Sequence, residues 1–457
     1  MTNPLPWKPQ DPARSLRVAT PAARITAVAD PGSAHFLPPA GASPHLARFG
    51  IPAHEDDGIV IARARVHGAP MLVAAQDEHY LAGSVGERHG KALQAMVATA
   101  RGERPSAIVL LLGSGGVRLH EANAAELVLA RVLSALLDAR ADGIPVVAIG
   151  VASVFGGASV LACAADRLAL LPGTRLGLSG PKVLESVHGK WEFDADDRRD
   201  VDAVFGAGAR NARGLVELVV DDADAVRGWI ARAAREREDF AISVVALHAR
   251  LGARVAGEAA RLPAFEALPC FDTAAPVDDA ACVWRRRECW LTRPNPGATI
   301  GPADAHALDA ALLANVAVSG TAGASERLPV VLVEDSAGHD VSRAAEMHLI
   351  SQFLAHHAAV LALLRAQGTR LVGLLAGIGH SAAFFSNALQ APVLYALATS
   401  RVVTMEPSAV ARVTGLPAGT LIDDDPLLGQ PIRHFAAHGG VNAVISEASL
   451  TALGIAP

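Results

Sequence analysis

Two glycine-rich stretches, Gly113-Ser114-Gly115-Gly116 and Phe155-Gly156-Gly157-Ala158-Ser159, each follow an aliphatic run and precede a helix-forming segment. A strand that ends in such a turn and feeds a helix leaves backbone N–H groups unpaired at the positive end of the helix dipole. One N–H from each of two neighbouring turns can hold a carbonyl oxygen as it gains negative charge, and this chemistry needs no side-chain nucleophile. Glycine matters there because a side chain would block the approach of the substrate carbonyl. The amides near Gly116 and Val117 and near Gly156 and Gly157 are therefore candidates for one oxyanion hole. A second set has the same pattern: Asp335-Ser336-Ala337-Gly338 with His339, and Ser381-Ala382-Ala383 after Gly377. Glycine turns after strands are common, but two copies at matched spacing point to function.

The elements around these turns repeat as well. Ala107 to Leu112 reads as a strand, about Glu121 to Arg140 as a helix, and Val146 to Val151 as a second strand leading into a further apolar helix. Later, Pro329 to Val333 reads as a strand, about Ser342 to Gln367 as a helix and Leu371 to Ala376 as a strand. Gly116 then corresponds to Gly338 and Gly157 to about Ala382, so one βαβα unit occurs twice. At 457 residues the chain exceeds a single core and fits two domains. The expected division is a flexible tail at 1–21, a domain at 22–250, a linker at 251–283 rich in proline, and a domain at 284–457. The basic patch Arg285-Arg286-Arg287 reads as a solvated face.

Bulk properties exclude several functions. With 40 basic against 46 acidic residues and a net charge of -6, the chain has no basic footprint for nucleic acid. Its four cysteines form no C-x-x-C pair, so no metal site is expected. Few cysteines, and a proline-rich start without an apolar signal core, point to the cytoplasm. Two windows free of Asp, Glu, Lys and Arg, Gly143 to Ala165 and Leu371 to Thr399, read as buried strand-helix segments rather than membrane spans.

The residues around the first turn, Gly113-Ser114-Gly115-Gly116-Val117-Arg118-Leu119-His120-Glu121-Ala122-Asn123, resemble a motif of acyl-CoA carboxyltransferases. Together with Asp56-Asp57-Gly58, Gly83-Ser84-Val85-Gly86-Glu87, Leu176 to Pro181 and Glu192-Phe193-Asp194, they resemble the beta subunit of biotin-independent malonate decarboxylase over roughly 22 to 235. From about 284 onward, Gly377-Ile378-Gly379-His380-Ser381-Ala382-Ala383-Phe384, Leu389-Gln390-Ala391 and Ala411-Arg412-Val413-Thr414 are similar to the gamma subunit. The sequence departs from the family at Gly113, His120, Ile378 and Ala382, where the motifs carry an acidic residue, Gln, Lys and Gly.

The resemblance implies an α/β fold of two crotonase-like (ClpP/crotonase) ββα domains facing each other across the site. It implies a malonyl group carried as a thioester on an acyl-carrier protein subunit with a CoA-derived prosthetic arm, loaded by an acyl-transferase subunit. CO2 leaves, an enolate is held by backbone amides, and protonation gives the acetyl thioester, with no cofactor bound directly and no biotin. The pairing of domains and the low aromatic content point to self-association into a homo-oligomer or to carrier docking. Gly83, Ser84, Glu87, Arg118, Glu121, Ser179 and His380 are the expected substrate contacts.

Individual residues have plainer readings beside these. Arg118 fits a phosphate of the carrier arm or an ion pair, and Glu87 and Glu121 fit a role in orienting the arm or in stabilising a helix start. His339 and His380 are candidate proton donors or packed turn residues. Gly379-His380-Ser381 also resembles a nucleophile elbow, with Asp423 to Asp425 and His434 in chain order for a serine hydrolase triad. A non-catalytic crotonase-like scaffold subunit is the third reading. On the close-approach argument, Gly157→Val is expected to stop turnover and leave the fold intact.

Overall fold

The structure, a computed structural model, describes residues 11–260, 275–276, 283–285, 290–292, 297–319 and 330–446. Most of the expected linker lies outside the described residues, as do Cys270, Cys282, Cys289, Arg286 and Arg287.

Among the described residues each half is built on a seven-stranded sheet, with the strands in simple chain order. The first contains β1 (His35–Phe36), β2 (Ile59–Val66), β3 (Ala69–Gln76), β4 (Ala107–Ser114), β5 (Val146–Val154), β6 (Arg167–Leu170) and β7 (Glu217–Leu218). The second contains β8 (Ala275–Pro276), β9 (Val283–Arg285), β10 (Trp290–Thr292), β11 (Val330–Glu334), β12 (Leu371–Leu375), β14 (Val393–Leu397) and β16 (Ala443–Ile445). A small parallel pair, β13 (Ile378–His380) and β15 (Arg401–Val403), stands apart. Each large sheet opens with antiparallel pairs and continues parallel, from β3 to β7 and from β10 to β16. The repeat inferred from sequence is thus physical: Ile108 lies opposite Val146 as Val330 lies opposite Leu371. Both β4 and β11 are buried along their whole length, which is why their aliphatic runs do not alternate.

The helix of each repeat, Ala122–Ala141 and Ile350–Ala366, is Ala- and Leu-rich and buried on most of its circumference. The two helices pack against each other in one hydrophobic core, where Leu129, Leu133, Leu354 and Leu361 belong to both halves' interior. The helix expected over 342–367 is two pieces, Arg343–Met347 and Ile350–Ala366, because Leu349 takes a left-handed backbone (φ 58°) between them. The charge-free windows hold β5 with helix Gly157–Cys163, and β12 and β13 with helix Ser381–Ser386 and β14. No helix among the described residues is long and apolar enough to cross a membrane.

Residues 11–20, expected as part of a flexible tail, are instead tied to the first domain. Leu16 is fully buried, and Asp221 accepts from the Ser15 hydroxyl and the Leu16 N–H, while Arg14 pairs with Asp222. Helix Phe240–Arg254 runs across the expected domain boundary at 250 and packs on the second half.

Backbone contacts around the first turn leave no room for added atoms. A Cβ on Gly83 (φ +66°) would sit 2.0 Å from the Gly113 carbonyl oxygen. Gly83→Ala is expected to lower the unfolding free energy by about 2–4 kcal/mol. Gly102→Ala, in a helix with nothing near its Cβ, is expected to raise it by about 0.5–1 kcal/mol. Urea denaturation of both variants checks the pair.

Candidate active site

The first turn is fixed by a bridge to the loop before helix Glu87–Glu103. Val85 donates to the Gly116 carbonyl (2.8 Å) and Arg118 donates back to Val85 (3.0 Å). Because the groups of Gly116 and Arg118 point at Val85, the N–H between them, that of Val117, points the other way and meets no protein acceptor among the described residues. There the second turn arrives: a Cβ on Gly116 (φ +101°) would lie 2.9 Å from the Gly156 Cα, and the reverse contact is equally short. Gly156 (φ +59°) caps helix Gly157–Cys163, and Gly157, as its first residue, has an N–H without a helical acceptor. Val117 and Gly157 therefore present two free amides on touching strands of backbone.

The second half repeats this arrangement. Ile300 donates to the Gly338 carbonyl (2.8 Å) and Asp340 donates to Ile300 (2.9 Å), so the His339 N–H points away. Gly116 and Gly338 N–H groups each reach a serine two residues back, Ser114 (3.1 Å) and Ser336 (3.4 Å). Gly338 has φ +93°, and Ser381 (φ +50°) stands where Gly156 stands in the first copy. The Ala382 and Ala383 amides open helix Ser381–Ser386, and both side chains are buried.

A short polar bridge joins the two sets. Gly156 donates to Leu178 (2.9 Å), the amides of Leu178 (3.0 Å) and Ser179 (2.6 Å) donate to Glu346, and the Ser179 hydroxyl meets His339 Nε2 at 3.1 Å. Arg210, fully buried, pairs with Glu346 at 3.4 Å. Burial raises the Glu346 carboxyl to about 7, against the pull of Arg210 and the two amides. Burial, reinforced by His380, pushes His339 down to about 3, so this imidazole is neutral near pH 7. Its Nδ1 is buried with no partner among the described residues. His380 lies against Gly338, its pKa lowered by burial despite Glu406 and the Ala337 backbone.

Behind the second turn runs a buried chain of hydrogen bonds. Ser336 donates to Glu334 (2.6 Å), Asn387 donates to the other Glu334 oxygen (2.8 Å), and His357 links Asn387 (3.1 Å) to Asp309 (2.7 Å). Burial raises Glu334 to about 7 against Ser336 and Asn387. Burial lowers His357, but Asp309 and Asn387 outweigh it and the net shift is upward.

Several expected substrate contacts form the scaffold instead. Arg118 is fully buried, bound to Asp57 (2.5 Å), Glu121 (3.0 Å) and the carbonyls of Asp57 and Ser84, so its guanidinium cannot meet a phosphate. Glu121 accepts from Ser43 and from the Glu87 amide, which starts a helix as the plainer reading held. The Ser84 hydroxyl donates to Leu81, the Gly83 carbonyl accepts from Ser114, and Glu87 pairs with His45 and Lys91. Gly157 also needs its missing side chain for packing: a Cβ would lie 2.1 Å from Leu129 and 3.2 Å from Phe385. Gly157→Val would therefore disturb the fold, contrary to the expectation above. Of the expected contacts, Ser179 and His380 lie beside the second turn. The triad partners of the elbow are engaged elsewhere: His434 contacts the Asp423 carbonyl, and Asp425 binds Arg48 and the Leu427 and Leu428 amides. Sequence reasoning missed Glu346 and Arg210, whose helical settings give no sign of burial.

Both halves of the chain are similar to known proteins. Residues 18–233 match the carboxyl transferase domain and residues 299–454 the malonate decarboxylase gamma subunit. A malonyl-S-ACP:biotin-protein carboxyltransferase of Malonomonas rubra is 33% identical over 204 residues, 40% of this chain and 64% of that protein. The acetyl-coenzyme A carboxylase carboxyl transferase subunits beta/alpha of a Parafrankia species are 32% identical over 28% of this chain and 21% of theirs. The chain thus spans less than two thirds of these relatives' lengths. A chain of a Pseudomonas malonate decarboxylase hetero-tetramer, solved with malonate, is 34% identical over 49% of this chain and 85% of its own, with a TM-score of 0.47. The fold is the crotonase-like α/β fold of carboxyltransferases. The chain thus carries a carboxyl transferase domain followed by a malonate decarboxylase gamma-subunit region, joined in one polypeptide.

Glu126, on the helix that follows the first turn, bridges to Thr404 of the second half while its Oε1 is buried without a partner. Burial raises its pKa to about 8, with Thr404 opposing and Glu334 adding. The folded state then holds a proton that the unfolded state releases near its ordinary value of 4.5, so stability falls as pH rises from about 4.5 to about 8. Glu126→Gln is expected to match the wild type near pH 5 and to melt higher at pH 8, as thermal denaturation at the two pH values would register.

Proposed function

We propose that the chain decarboxylates a malonyl thioester through an enolate held by backbone amides. The observation that carries this is the pair of duplicated turns, which present the N–H groups of Val117, Gly157, His339 and Ala382 beside the junction of the halves. In the reaction the C–C bond to the carboxylate breaks, CO2 leaves, and its electron pair moves into the thioester carbonyl to form the enolate. One pair of amides stabilises the oxygen as it becomes negative. The other receives the carboxylate end of the substrate. Protonation at carbon then gives the acetyl thioester.

His339 is the proposed proton source. It is held neutral, its Nε2 is engaged by Ser179 and its Nδ1 is unpartnered; a neutral imidazole N–H can act as electrophile or acid toward so basic a carbon. The thioester is carried on the CoA-derived arm of an acyl-carrier protein subunit, loaded by an acyl-transferase subunit, in the cytoplasm. Neither biotin nor metal takes part in this chemistry. The name of the Malonomonas rubra relative favours a second reading, in which the carboxyl group passes to a biotin protein.

Incubation with malonyl carrier protein, or malonyl-CoA as surrogate, and mass spectrometry of the thioester decides between these. Acetyl thioester formed without biotin is expected. Turnover that requires a biotinyl acceptor would establish carboxyl transfer instead, and free malonate with carrier thiol would establish hydrolysis. His339→Ala is expected to slow turnover on the order of 10²-fold, and Ala382→Pro, which removes an amide in the first helical turn, by about 10²–10³-fold. Ser381→Ala should stay within about twofold, since only its backbone contributes on this scheme.

A further inference from the structure

We propose that the chain binds a zinc ion between its two halves, on His248, Asp309 and His356. These residues come from helices Phe240–Arg254, Pro302–Ser319 and Ile350–Ala366, which pack together where the first half's last helix meets the second half. His248 Nδ1 and His356 Nε2 face each other at 3.3 Å, and Asp309 Oδ2 lies 3.7 Å from the same His356 nitrogen. One atom from each of the three lies within 4.8 Å of the others. Nitrogen and oxygen ligands at about 2.0–2.1 Å from a tetrahedral zinc stand about 3.3 Å apart, so two of the three edges are nearly formed.

The surroundings fit a cation better than a plain hydrogen-bond cluster. Asp309 and His356 are each 1% exposed, and Asp309 Oδ2 has no hydrogen-bond donor. With their protons on the far ring nitrogens, the two imidazoles turn lone pairs toward each other and toward the carboxylate oxygen, which a divalent cation would satisfy together. The second Asp309 oxygen accepts from His357 at 2.7 Å, the kind of outer bond that fixes a ligating carboxylate. His306 stacks flat on His248, ring centroids 4.1 Å apart, and holds its plane. His356 also borders a cavity of about 580 Å³ between the halves, and His248 is only half-buried, so the cluster is not sealed off from solvent on that side. Two histidines and one carboxylate suit zinc among common divalent ions.

The ligand atoms lie outside the turns that carry the amides, and only Asp309 reaches the second turn, indirectly through His357 and Asn387, so the role of the site is to clamp helix Phe240–Arg254 onto the second half. Zinc should then raise the melting temperature. The test is the metal content of the full chain purified from zinc-supplemented cells, together with cobalt(II) titration of chelator-treated protein. About one equivalent of zinc per chain and tetrahedral cobalt bands are expected. His248 is half-buried, so His248→Ala should fold, keep turnover, lose both signals and melt at the same temperature with or without zinc. Trace metal with no cobalt bands in folded wild type would overturn the proposal, as would a full equivalent of zinc retained in His248→Ala. Asp309→Asn should give the same loss as His248→Ala, and a folded Asp309→Asn that binds zinc like the wild type would also overturn it.

Discussion

The contact between Gly116 and Gly156 sets the geometry of everything around it. Two backbones meet so closely that neither position tolerates a Cβ, and both residues hold left-handed backbone angles that favour glycine. Only with that approach do the amides of Val117 and Gly157 stand side by side. The arrangement is over-determined from behind. Ser114 binds the Gly116 amide and the Gly83 carbonyl, Val85 ties down both ends of the turn, and the buried set of Arg118, Asp57 and Glu121 holds the loop that carries Val85. Breaking one member of such a buried ionic set leaves an uncompensated charge, so the set holds the turn to one geometry.

Fusion of the two regions in one chain has a structural counterpart. The halves share a hydrophobic core, and polar bonds cross between them at both ends of it. Asn123 binds the carbonyl of Gly429 and donates its amide to Leu427, Arg365 pairs with Asp138, and Ser159 meets Ser351 at 2.6 Å. Helices Ala122–Ala141 and Ile350–Ala366 are apolar over most of their surface, the first keeping only a narrow outer stripe of Arg131, Ser134 and Asp138, so each repeat exposes an apolar helix unless the other covers it. The pairing of halves is therefore a folding requirement as well as the means of placing His339 beside Ser179.

Much of this was legible in the sequence because it rests on local rules. Aliphatic runs, glycine turns and the matched spacing of two copies located β4, β5, β11, β12 and the four turn segments. What could not be read was which face of a motif residue is used. Arg118 and Glu121 sit in the same motif as Gly116 and Val117, yet both are scaffold, because their side chains are spent on buried ion pairs while the turn offers a backbone amide. The sequence around Gly157 suggests access for a substrate, but Leu129 and Phe385 equally demand its missing side chain. The helix break at Leu349 follows from tertiary packing and has no glycine or proline to announce it. Residues whose roles depend on pairing across more than 100 positions, such as Glu346 with Arg210 or His248 with His356, left no pattern at all.

The second turn pair shows how the departures from the family motif are accommodated. Ser381 takes the backbone angle that Gly156 takes in the first copy, a left-handed conformation costly for a residue with a Cβ. Its neighbours must hold it there. They do so through a continuous buried chain: the Gly338 amide on Ser336, Ser336 and Asn387 on Glu334, and His357 between Asn387 and Asp309. Asn387 directly follows helix Ser381–Ser386, so the same chain fixes the turn that presents His339 and the helix that presents Ala382. The first copy fixes its turn with ionic bonds to Arg118, the second with a carboxyl-amide-imidazole chain ending at Asp309. One backbone geometry is thus reached by two different polar frameworks, and the second ends at the residue best placed to bind a cation.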